Sequence, residues 1–226
     1  MRRRVVTAIA CAAIAAGVLP GRAAAQTIRL PMEEPAPETY LGEGEQDILE
    51  ELNLMRADPP RYAVHLEALR DRFRDKLLIR PGRPAVRTEE GVAALFEAIS
   101  ALKAAKPLPK VASSVGMTRA ARKHAEDIGE SGEVGHVGRD GSGPAQRLER
   151  HGKWRDAAGE AIALGSEDPR GVVIQLLVDD GVPGRGHRKS LMRDDFRVVG
   201  IACAPHEVFR QVCVIDLAAG YVSDGR

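Results

Sequence analysis

Two alternating apolar runs near the C-terminus, VVGIACA (198–204) and QVCVIDLA (211–218), constrain the fold more than any other stretch of this chain. Apolar alternation at period two makes each run a strand, and the short polar stretch between them can turn, so together they read as an antiparallel hairpin. Each run carries one cysteine. Pairing Cys203 with Cys213 also sets Ile201 opposite Ile215 and Val199 opposite Leu217, so one register serves both a bridge and a hydrophobic face. A structural disulfide is therefore expected, and closing so short a loop contributes about 2–3 kcal/mol.

A disulfide needs an oxidising compartment, and the N-terminus supplies a reason to expect one. Arg2, Arg3 and Arg4 precede an apolar run from Val5 to Leu19, and Ala23-Ala24-Ala25 offers small residues for cleavage before Gln26. This is the pattern of a secretory signal peptide over residues 1–25. The apolar run is shorter than the roughly 20 residues that span a bilayer, which argues against a membrane anchor. Cys11 would leave with the signal, and the mature chain would hold 201 residues with 29 basic and 32 acidic side chains. Such a balance lacks the basic excess that neutralises phosphates, so nucleic acid is a poor partner. A secreted or periplasmic location follows from the same reading.

Residues 26–43, with three prolines, several glutamates and no apolar periodicity, read as a linker; the folded domain is expected over 44–226. Ile48, Leu49, Leu52 and Met55 have helical spacing that ends near Asp58-Pro59-Pro60, and a second helix is expected from Pro60 to about Arg74. RPGRPAVRT reads as a loop. Thr88 is a candidate N-cap for a helix burying Val92, Leu95, Phe96, Ile99 and Leu102. The next helix, about 113–130, buries Met117, Ala120, Ala121, His124 and Ile128, which makes His124 a hydrogen-bonded core histidine. His65, His151 and His206 receive equally plain structural assignments. A short helix near 144–150, a strand AGEAIALG (158–165) and a helix from Pro169 through Asp180 precede the hairpin. Helices first and strands mostly last describe an α+β domain with a small antiparallel sheet.

Three segments put polar groups where the pattern predicts burial, and that mismatch is the main functional clue. Glu160 falls on the same side of its strand as Ile162 and Leu164, so its carboxylate faces the core and needs a partner. Val173, Leu176, Leu177 and Asp180 follow the i, i+3, i+4, i+7 rule, which selects Asp180 as the inward acid and sends Asp179 to the flank. The Gly-rich loops GVPGRGHRKSLM and EVGHVGRDG deliver His187 and His136. Two histidines and two acids suit a divalent metal site or a His–carboxylate acid–base pair. No HExxH, paired CxxC or GxSxG is present.

Taken in order, HAEDIGESGEVGHVGRDGSGPAQRLERHGKW, AGEAIALG, VVIQLLVDDGVPGRGHRKSLM and the two terminal runs resemble the CAP superfamily of cysteine-rich secretory, antigen 5 and pathogenesis-related 1 proteins, in its bacterial secreted branch. The resemblance extends from about Leu52, in LNLMRADP, to about Tyr221. It implies an α-β-α sandwich, with a small central antiparallel sheet between helical layers, and a cavity lined by two histidines and two acids. Carried over, these fall on His136, Glu160, Asp180 and His187, with zinc or another divalent metal held by the two histidines. Asp180 stands where the family usually has Glu, and GEAIA where GENIA is more familiar.

These readings lead to an extracytoplasmic binding module whose His/acid cleft takes a small ligand, a lipid included, or a cell-envelope protein, with or without a metal. The alternative is a peptidase-like hydrolase in which Glu160 or Asp180 activates water and His136 or His187 polarises the substrate. A third reading makes all four residues a structural polar network.

Overall fold

The C-terminal hairpin forms in the expected register: Val199 opposes Leu217, Ile201 opposes Ile215, and Cys203 is bonded to Cys213 with 4.1 Å between their Cα atoms. The computed structural model describes residues 40–166 and 168–224. The signal peptide and nearly all of the linker expected at the N-terminus lie outside those residues.

The hairpin strands, β6 (Val198–His206) and β7 (Arg210–Ser223), form the middle of a four-stranded sheet. On the far side of β7 runs β5 (Gly152–Leu164), antiparallel, as an outer strand, and on the far side of β6 a two-residue strand, β4 (Ala112–Ser113), pairs parallel. The long strands are thus antiparallel, as expected, and the short parallel edge is new. Likewise β5 starts six residues earlier than AGEAIALG, because a bulge between Arg155 and Ala158, with Asp156 at φ 63°, lets the chain re-enter the ladder.

Helices cover both faces. One face of the sheet, through Ala161, Ala163, Val199, Ile201, Ile215 and Leu217, shares a core with α1 (Glu43–Ala57), α2 (Pro59–Glu67), α3 (Val92–Ala104), α6 (Pro169–Val178) and α7 (Gly186–Leu191). The other face packs on α4 (Val115–Ser131), through Ala121, Ala125 and Ile128, and on α5 (Pro144–Glu149). This is the α+β sandwich the sequence led one to expect. α4 lies so close to β6 that a Cβ at Gly200 would sit 2.2 Å from the Met117 carbonyl carbon, so glycine is required there by contact. On the opposite face the fully buried Arg56 of α1 donates to the carbonyls of Pro109, Leu191 and Phe196, fixing the end of α7.

Some boundaries differ from expectation for identifiable reasons. α2 ends at Glu67, and the chain then makes a 3-10 turn and a second sheet of three two-residue strands, β1 (Phe73–Arg74), β2 (Leu77–Leu78) and β3 (Val86–Arg87). Strands this short carry no readable period. Thr88 does not cap α3; its hydroxyl donates to the Lys76 carbonyl, and Gly91 at φ 65° starts the helix instead. Phe96, expected in the buried stripe, is exposed. α6 stops at Val178, two residues short of Asp180.

Candidate functional site

Glu160 leaves β5 on the α4 side, sharing a face with Ile162 and Leu164, and its side chain is 1% exposed. A carboxylate there must be compensated, and two groups do so. His136 Nδ1 lies 2.8 Å from Oε1, and Arg147 of α5, itself buried, donates to Oε2 at 2.6 Å. Burial by itself would raise the Glu160 carboxyl, but the His136 hydrogen bond and the Arg147 charge outweigh it and hold the group below its usual range. Arg147 also donates to the carbonyls of His136 and Ser142, so one guanidinium positions both the histidine's backbone and its acid. His124, buried in α4 as expected, meets the Gly135 carbonyl through Nε2 at 2.9 Å and fastens the same loop. Burial keeps its imidazole below the ordinary value despite the nearby Glu160, so it stays neutral.

Directly across from Glu160 on β7 stands Asp216, 1% exposed, with no side-chain or backbone partner for either oxygen unless it carries a proton. Burial first, and then the Glu160 charge, raise it well above the ordinary carboxylate range. Sequence reasoning passed over Asp216, although an acid inside VCVIDLAA was a signal of the same kind as Glu160.

The second half of the site belongs to the turn between α6 and α7. Asp179 leaves the helix in the left-handed region, φ 54°, and is 2% exposed. Its carboxylate accepts from the His187 and Arg188 backbone N–H groups at 2.9 and 3.3 Å, capping α7, and meets His187 Nδ1 at 2.8 Å. Arg188 reciprocates by donating to the Leu177 and Val178 carbonyls at the end of α6. An acid that the α6 macrodipole would disfavour is thereby placed at the favourable end of α7.

Asp180 does not join these residues. It accepts from the backbone N–H groups of Glu89 and Glu90, at 2.6 and 2.9 Å, ahead of α3. The helical spacing that selected Asp180 ended at Val178, and the left-handed turn at Asp179 sends the two neighbouring acids in different directions. The acid beside His187 is therefore Asp179. The turn is held from outside by Arg185, also left-handed, which donates to Glu90, Glu97 and the Asp179 carbonyl. Arg185, with the Gly181 N–H, lowers the Glu90 carboxyl to about 2.

The two histidines thus come from opposite helical layers and meet at the outer strand β5, with ring centroids 5.9 Å apart. Each has Nδ1 tied to a buried carboxylate, which leaves each Nε2 directed away from its acid. That pairing, acid to Nδ1 and Nε2 outward, is the outer-shell arrangement of metal-binding histidines. Among the described residues no group of three or more His, Cys, Asp or Glu is arranged to hold a metal, and the donors that face one another here are the two imidazoles. A groove of about 930 Å³ opens between α3 and the α6–α7 turn, lined among others by Glu97, Val182, Arg185, Lys189 and Met192 and by neither histidine.

The family model described as CAP, cysteine-rich secretory protein family, matches residues 51–217. Among curated proteins none matches. Solved structures that resemble the chain include an outer surface protein of Borrelia burgdorferi, at 21% identity and TM-score 0.42, covering 49% of this chain and 78% of that one. Another is an extracellular SCP-domain protein of Bacillus anthracis, at 22% identity and TM-score 0.41, covering 49% of this chain and 34% of that one.

Proposed function

We propose, for a chain that belongs to the CAP (cysteine-rich secretory protein) family, that the cleft between His136 and His187 is the ligand site of an exported binding module. The observation that carries this reading is the pair of carboxylate-backed imidazoles, each Nδ1 2.8 Å from a buried acid, that converge from two helical layers. A divalent ion, zinc for example, would be held by the two Nε2 atoms, and when bound it would supply a Lewis-acidic point for an anionic or carbonyl oxygen of the ligand. Glu160 and Asp179 would orient the rings and keep the proton on Nδ1. The water-activating role of the hydrolase alternative is disfavoured for both acids: Glu160 has its oxygens on His136 and Arg147, and Asp179 has its oxygens on His187 and the start of α7.

Export is supported by the N-terminal pattern of three arginines, an apolar run and Ala23-Ala24-Ala25, and by the Cys203–Cys213 bridge. Among the described residues no helix is long and apolar enough to cross a membrane. The ligand class includes small molecules and envelope proteins, without nucleic acid. Calorimetric zinc titration of the mature chain against a His136→Ala/His187→Ala variant tests the cleft. Saturable one-site binding that the variant loses supports it; a folded wild type that takes up no zinc, or a variant that binds equally well, removes the metal from the reading.

A further inference from the structure

Strand β5 ends the sheet, and Glu160, which bonds His136, lies along it. The direction of each peptide group follows from one bond. Gly165 N–H donates to the Gln211 carbonyl at 2.9 Å, and Leu164 lies opposite Val212, so residues 163, 161 and 159 turn their N–H and C=O groups toward β7. Leu164, Ile162, Glu160 and Ala158 must turn theirs away from the sheet. At Leu164 the outward groups are satisfied: the Gln175 side-chain amide donates to its carbonyl at 3.0 Å and accepts from its N–H at 3.2 Å. That is the two-point bond a neighbouring strand would make, supplied by a side-chain copy of a peptide group.

Beyond Gln175 the edge continues without a strand beside it. Glu160 is 8% exposed as a residue, whereas its side chain is only 1% exposed, so what it shows to solvent is main chain. Ala158 and Ile162, on either side, are both partly exposed. The outward groups of these three residues repeat at about 6.7 Å, the two-residue pitch of a strand. His136, from the loop after α4, bonds Glu160 in this window, and His187, in α7, has its ring centroid 5.9 Å from that of His136.

We propose that the cleft receives an extended peptide segment, which adds to β5 as a fifth strand at Ala158, Glu160 and Ile162. Main-chain bonds to the three residues would hold the segment, and its alternate side chains would lie toward His136 on one side and His187 on the other. The occupant is a polypeptide in extended form because the open groups are peptide donors and acceptors in strand register, and because Gln175 already fills the adjoining position with an amide. This deepens the ligand-site reading and rests on it only for the part played by the histidines.

Proline is tolerated on an edge strand where its missing N–H would have pointed to solvent. Ala158→Pro is therefore expected to keep the fold while removing one docking donor, and Ile162→Pro removes another at the added cost of its packing on the α4 side. In the full chain, amide exchange at Ala158, Glu160 and Ile162 should be on the order of 100-fold faster than at Gly159, Ala161 and Ala163. Heptapeptides selected from a displayed random library should slow those three amides, and should bind at least tenfold more weakly to either proline variant. The inference is overturned if the three amides are protected in the free protein, if no heptapeptide is selected, or if folded proline variants bind the selected peptides as well as wild type does. Peptide binding that protects the edge but survives His136→Ala/His187→Ala supports the fifth strand while removing the histidines from the ligand contact.

Discussion

Replacing Asp179 separates the structural work of its carboxylate from its effect on His187. In wild type the carboxylate accepts three bonds, from the His187 and Arg188 backbone N–H groups and from His187 Nδ1, in a setting 2% exposed. Asp179→Ala removes all three and places alanine at φ 54°. Lost bonds to a charged acceptor, with two α7 amides left without their cap, give an expected cost of about 3–4 kcal/mol, and the left-handed backbone adds roughly 1 kcal/mol. Asp179→Asn tolerates the left-handed turn and keeps one oxygen for the α7 amides, so its cost should be about 1–2 kcal/mol. Its NH2 group, however, then faces His187 Nδ1 and drives the proton to Nε2. Zinc affinity should consequently fall about 10–100-fold although the protein remains folded. Asp180→Ala, which loses its two bonds to Glu89 and Glu90, serves as the control and should leave His187 unchanged. Urea unfolding gives the stability of each variant, nitrogen-15 NMR at fixed pH gives the His187 tautomer, and calorimetry gives zinc affinity. An Asp179→Asn variant with wild-type tautomer and affinity, or an Asp180→Ala variant with the larger loss, would refute the assignment of the acid.

Arg147→Met leaves Glu160 buried without its guanidinium and should cost about 3–5 kcal/mol, read by urea unfolding; a loss below about 1 kcal/mol would mean that the ion pair is not holding the His136 loop. Asp216 has a folded-state value raised by burial and by Glu160, so its contribution to stability is complete below about pH 4 and is lost as pH rises through the raised value, at about 1.4 kcal/mol per pH unit. Asp216→Asn has no such slope and should gain on wild type between about pH 4 and neutrality; unfolding curves that stay parallel across that range would show an ordinary carboxylate.

What the sequence made legible was whatever two independent constraints fixed together. The terminal hairpin obeyed both an alternation and a cysteine pair, and its register is the one observed. Glu160 was legible as an acid on an apolar strand face, and His124 as a histidine on an apolar helix face, because in both cases the element continued regularly past the residue. Asp180 was misplaced where that continuity failed, since nothing in VDDGVPG marks which acid leaves the helix; the partners that settle it, Glu89 and Glu90, lie about ninety residues away. The partner of Glu160 was equally remote from a local reading. Arg147 sits in a short helix whose face cannot be assigned from six residues, yet it joins three parts of the site.

An open sheet edge carries a hazard as well as a use, because any copy of the same chain presents the same row of donors and acceptors. Here the row is cut short at both ends. The bulge between Arg155 and Ala158 bends the strand away on one side, and the Gln175 amide fills the last rung on the other. Between these two interruptions the stretch 158–162 stays open, with Glu160 bonded to His136 and the His187 ring 5.9 Å from that of His136. A slot of that length would favour a short free segment over edge-to-edge stacking of whole molecules, so the same geometry that would admit a guest strand would also work in concentrated solution against the protein becoming its own polymer.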